Sequence, residues 1–73
     1  MRENLRNTRK AAGLTQQAIA DKLGITLGHY QKIEYAYLNG SFAVWDALED
    51  RLGVHQRILR ETSNSRPDQK ENQ

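Results

Sequence analysis

The sequence predicts an all-α fold, a compact bundle of five short helices in which helices two and three form a helix-turn-helix. Three observations predict it. Apolar residues recur at three- and four-residue spacings in five short segments, and no strand-like alternation is sustained. Turn signals at Gly13, Gly24, Asn39-Gly40 and Gly53 separate those segments. The chain has 73 residues and no cysteine, so it is one domain near the lower size limit for a core built without disulfides or metals.

The first helix is expected over residues 2–12, with Leu5, Thr8 and Ala12 on one stripe. Arg9 falls on that stripe, four residues after Leu5, and so points inward or along the core edge. Gly13 ends the helix, Leu14 drops into the core, and Thr15 is the N-cap of a second helix, about 16–23. No Glu or Gln stands three residues after Thr15, so the capping box is incomplete. Gln16 and Gln17 occupy the first turn, where exposed amides and the positive dipole end favour an anion. A helix this short, ~12 Å at 1.5 Å per residue, depends on packing through Ile19, Ala20 and Leu23 rather than on propensity.

Gly24-Ile25-Thr26 allows only a sharp turn. Gly24 supplies a left-handed stop, and Thr26 caps a third helix, about 27–35. Two helices joined by such a turn form a unit that places its second helix in the DNA major groove. Tyr30, Ile33 and Glu34 fall on the inner side of that helix. Gly28, Lys32 and Gln31 fall on the outer side, with Leu27 and His29 at the borders. Gly28 costs about 0.8–1 kcal/mol relative to Ala within a helix, and close approach of the backbone to a partner is one reason to keep it. Glu34 is a carboxylate on a buried flank and Arg9 a guanidinium on a buried stripe. Each alone is costly, and together they offer a bidentate pair tying the first helix to the end of the third.

Residues 35–41 link to a fourth helix, about 42–52, capped by Ser41. Helical spacing assigns Phe42 and Trp45 to the core with Leu48 and Leu52, and leaves Tyr35 and Tyr37 open. Asp46 and Asp50 form a solvated acidic face. Val54, Ile58 and Leu59 describe a last short helix that closes the core. The helix-turn-helix domain therefore spans 1–60. Residues 61–73 contain no aliphatic or aromatic side chain and are expected to be a disordered tail.

The net charge is +2, but residues 1–40 hold Arg2, Arg6, Arg9, Lys10, Lys22 and Lys32 against Glu3, Asp21 and Glu34. Positive charge thus gathers in the half that holds the helix-turn-helix, as a phosphate-facing surface requires. His29 and His55 have no further ligand in register, so no metal is expected. Asp46, Glu49 and Asp50 lack a nearby nucleophile, and a bundle of this size rarely forms a pocket of several hundred Å³, so no enzyme and no cofactor are expected. No apolar run approaches the ~20 residues that span a bilayer, and the N-terminus lacks the apolar core of a secretory signal. The expectation is a soluble, cytoplasmic protein with no membrane partner.

Leu5, Arg9, Gly13-Leu14-Thr15-Gln16, Ala20, Leu23-Gly24-Ile25-Thr26, Tyr30, Ile33-Glu34, Asn39, Leu48 and Leu52-Gly53-Val54 form a set of spacings. Over about residues 3–60 the pattern resembles the phage-repressor type of helix-turn-helix domain, the lambda-repressor and Cro-like group also called XRE. The resemblance implies a five-helix bundle that binds operator-like double-stranded DNA, usually as a dimer, and regulates transcription. It implies a phosphate contact for Gln16 and for the loop residue Asn39, and base or nearby phosphate contacts for Thr26, Leu27, Gly28 and Lys32. Arg9 and Glu34 match the structural ion pair of the group. Gln17, His29 and Gln31 are further candidates for phosphate contact.

One departure is Ala36, where the group often has glycine two residues after the glutamate. Either Ala36 takes a left-handed conformation, at ~1 kcal/mol or more, or the helix runs on through Tyr37. The outer face is also poor in hydrogen-bonding side chains. Leu27 can contact a thymine methyl and Lys32 can reach guanine O6 and N7, which points to a large share of phosphate and shape readout. The expected function is a sequence-specific, repressor-like transcriptional regulator. The alternative is a protein-interaction module such as the antitoxin of a toxin–antitoxin pair.

Overall fold

A computed structural model describes residues 1–62. Five helices follow in order: α1 (Glu3–Ala11), α2 (Gln16–Leu23), α3 (Leu27–Glu34), α4 (Phe42–Leu52) and α5 (Gln56–Leu59). The expected disordered tail lies, from residue 63 onward, outside the described residues.

Local chemistry sets most helix ends. The hydroxyl oxygens of Thr15, Thr26 and Ser41 accept hydrogen bonds from the backbone N–H groups of Ala18, His29 and Val44 at 3.0, 3.1 and 3.2 Å. Each satisfies one of the donors that a helix start leaves free. Gly24 closes α2 at φ +72°, a left-handed conformation that its missing Cβ permits.

The core is formed by Leu5, Ile19, Ala20, Tyr30, Ile33, Val44, Trp45, Leu48 and Leu59. Leu14, Leu23, Ile25, Leu52 and Val54 are half-buried around it. α2 packs most closely on α3, and α5 packs between α1 and α4. The interior thus supports α2 and α3 from one side and leaves their other side open.

Three expectations change, and one open alternative is decided. Phe42 is 79% exposed although it stands three residues before the buried Trp45. It is the first residue of α4, and side chains lean toward the helix N-terminus, which carries its ring past the edge of the core. Ala12 is exposed because α1 ends at Ala11 and the chain turns away there. Ile58 is also exposed: α5 is a single turn, and Leu59, rotated by about 100°, takes its inward position. Ala36 takes the left-handed option, at φ +69°, so α3 ends at Glu34 and does not continue through Tyr37. The Ala36 N–H donates to the Ile33 carbonyl at 3.1 Å and the Tyr37 N–H to the Lys32 carbonyl at 2.8 Å. This is a Schellman cap built on a non-glycine residue.

Candidate nucleic-acid interface

The outward side of the α2–α3 unit is held by a buried polar network. Arg9 Nε donates to Glu34 Oε1 at 2.8 Å and Arg9 Nη2 to Oε2 at 3.4 Å, a two-pronged ion pair. The Tyr30 hydroxyl donates to Oε1 at 2.8 Å, and Gln16 Nε2 donates to Oε2 at 2.6 Å. Arg9 also donates through Nη1 to the Leu14 carbonyl at 2.7 Å. Glu34 is wholly buried, yet four donors meet its two oxygens. Burial by itself would raise its pKa; the hydrogen bonds from Arg9, Gln16 and Tyr30 outweigh it and hold the carboxyl below its ordinary value. Burial likewise opposes the charge on Arg9, and its bonds to Glu34 reverse that and push its pKa up. Burial and the hydrogen bond to Glu34 push the Tyr30 hydroxyl up strongly, so it stays a donor.

Gln16 ties this interior to the surface. Its Oε1 accepts from Gln31 Nε2 at 3.1 Å while its Nε2 is directed at Glu34. The first residue of α2 and the outer flank of α3 are therefore linked side chain to side chain, and both glutamines are half-buried. Gln16 retains one N–H beyond the bond to Glu34, so internal bonding leaves it a donor to offer. Gln17 is exposed and donates to Asp21 Oδ1 at 2.9 Å along its own helix.

On α3, Gly28, His29 and Lys32 are exposed and Leu27 is half-buried. Thr26 is exposed, and its oxygen is engaged as the α3 N-cap, which leaves the hydroxyl proton to donate outward. Gly28 has open space on its outer side: an added Cβ would meet nothing within 4 Å. No neighbour among the described residues therefore requires a glycine there. Asn39 is exposed in the loop after α3, fixed through its carbonyl, which accepts from Trp45 Nε1 at 2.6 Å. Gly40 beside it has φ +80°, and an added Cβ would lie 3.0 Å from that same indole nitrogen.

Asp46, Glu49 and Asp50 line a surface depression of about 550 Å³ with Gly53, Val54 and His55. The sequence argues against a pocket of this volume, but the depression is shallow, and Gln56 Nε2 bridges Asp46 Oδ1 at 2.8 Å and Glu49 Oε1 at 3.1 Å. No helix of the described residues is long and apolar enough to cross a membrane.

The sequence reading misses Arg2. It is 5% exposed and lies at the centre of the N-terminal end of the bundle. Its Nη1 donates to the carbonyls of Ile33 at 2.6 Å and Leu38 at 2.9 Å, its Nε to that of Arg60 at 3.1 Å, and its guanidinium lies 5.3 Å from the Trp45 ring centroid. The spacing Arg2, Leu5, Arg9, at three and then four residues, extends the buried stripe backward and is the signal that could have found it.

A helix cradled at both ends, with an open outer face beside an anion-favouring helix start, defines a helix-turn-helix DNA-binding domain. A family model described as Helix-turn-helix matches residues 5–59, and the chain belongs to that family, the XRE or lambda-repressor and Cro-like group. It is a DNA-binding helix-turn-helix transcription regulator whose partner is double-stranded DNA. No curated protein and no solved structure is significantly similar to the chain.

Proposed function

We propose that this chain is a repressor-like regulator that recognises an operator by laying α3 in the major groove. The observation that carries this reading is the outer face of α3. It is exposed, it is held from behind by the Glu34 network, and it includes a helical glycine that the interior does not use. Gly28 lets the helix backbone sit deep in the groove. Lys32 reads guanine, Leu27 meets a thymine methyl, and Thr26 donates to a base or nearby phosphate. Gln16 and Asn39 fix the register on phosphates, with Gln17, His29 and Gln31 flanking them. Because few side chains on this face read bases, shape and phosphate contacts carry much of the affinity.

A homodimer fits the exposed Phe42 on α4 and Ile58 on α5. Two copies place half-site centres about 10–10.5 base pairs apart, or multiples of that. Selection of bound duplexes from a random pool tests both points, and a palindrome with that spacing is the expected result. On the selected duplex Lys32→Ala costs about 1–3 kcal/mol and relaxes preference at one base pair. Unchanged preference at every position would remove Lys32 as a reader.

A further inference from the structure

Away from α3, a cleft of about 530 Å³ opens between the N-terminal arm, the loop after α3 and the end of α5, lined by Arg2, Asn39, Arg57, Arg60, Glu61 and Thr62. Three guanidinium groups face one carboxylate in it. Arg9–Glu34 is the only ion pair among the described residues, so none of the three is neutralised by a close acidic partner there. Glu61 spends Oε1 on Asn4 Nδ2 at 3.0 Å. Arg2 is more than nine-tenths buried, and the hydrogen bonds it forms use Nε and Nη1, which leaves Nη2 without a protein acceptor among the described residues. Arg60 sits 6.0 Å from the Trp45 ring, on the indole that Arg2 also approaches. Burial, and then the charge of Arg60, lower the pKa of Arg2, as expected where cations crowd without an anion.

Asn39 makes this cleft more than a charged patch, because it lines the cleft and is also a phosphate contact in the docking of α3 proposed above. We propose that the cleft is a second phosphodiester-binding site, in which Arg57 and Arg60 hold the DNA backbone beyond the reach of the helix-turn-helix while Arg2 fixes the shape of the floor. The site rests on the docking of α3 proposed above. Its ligand is a backbone phosphate, and its contribution is independent of base sequence.

The test measures duplex affinity of the full chain by fluorescence anisotropy across a fourfold rise in salt. Arg57→Gln and Arg60→Gln are compared with Arg51→Gln, which removes the same charge from the exposed last turn of α4, outside the cleft. Each cleft variant should flatten the plot of log affinity against log salt by about 0.9, equally on selected and random duplexes. Arg51→Gln should leave the slope unchanged, and Arg57→Lys should restore it. Wild-type slopes in both cleft variants, or equal flattening by Arg51→Gln, would overturn the proposal.

Lys32→Ala in the same assay separates the two readings. If it relaxes base preference while the cleft variants keep the wild-type slope, only the cleft site fails. If the cleft variants flatten the slope while Lys32→Ala changes nothing, Lys32 falls as a base reader and the cleft site stands. Asp68→Asn and Glu71→Gln address the other source of anions, the chain's own tail. Flattening by Arg57→Gln that persists in their presence supports the proposal, and flattening that disappears once those carboxylates are removed would assign the cleft to the tail and overturn it.

Discussion

Among the described residues, Glu34 ties stability to pH at the acid end. Its folded pKa lies below the ordinary value, so the unfolded chain takes up the proton first as pH falls. The stability it contributes is complete above about pH 4.3 and is lost as pH drops through the lower folded value. Glu34→Gln should cost about 3–5 kcal/mol near neutral pH, because it leaves Arg9 buried without a counter-charge. It should also flatten the acid limb of stability, as read from urea midpoints across a pH series. An unchanged acid limb would show that Glu34 is not the group responsible. Ala36 is the second telling residue. It holds a left-handed conformation that disfavours a Cβ, and Ala36→Gly should raise stability by about 1 kcal/mol in urea denaturation.

At the scale of elements, α3 is built against its own interest at Gly28. Space is open around that position and its φ is not positive, so alanine fits without strain. Gly28→Ala should stabilise the fold by about 0.8–1 kcal/mol while weakening duplex binding, with thermal denaturation and anisotropy moving in opposite directions. Tighter DNA binding in that variant would remove the reason offered for the glycine. The helix-turn-helix is the part most legible in sequence because its determinants are local: Thr15 and Thr26 cap, Gly24 turns, and the inward residues keep helical spacing. Phe42, Ala12 and Ile58 resist the same reading. All three lie at or near helix ends, where periodicity still indicates a side but the core no longer extends to meet it.

The whole molecule is closed by Arg2. One side chain reaches the last turn of α3, the loop beyond it and the end of α5, and its backbone N–H donates to the Glu34 carbonyl at 2.9 Å. Arg2→Ala should cost about 2–3 kcal/mol, since hydrogen bonds from a charged group are worth more than neutral ones. It should also raise amide exchange in α5 ahead of α2. Uniform loss of protection through the bundle would mean that Arg2 acts on global stability and not as a clasp at that end.

Sequence by itself determined the five helices, the turn between α2 and α3, the Arg9–Glu34 pairing and the residues on the outer face of α3. Each of these follows from helical periodicity, capping chemistry, or the need of a buried charge for its opposite. Tertiary structure alone decided that Gln16 and Gln31 join each other and the buried carboxylate, that Phe42 faces solvent, and that Arg2, Arg57 and Arg60 converge on one cleft. Gln16 and Gln31 are 15 positions apart and Arg2 and Arg60 are 58 apart, so no local rule couples them. Their meeting depends on how α2 packs on α3 and how α5 packs on α1 and α4, and only the packed core fixes that.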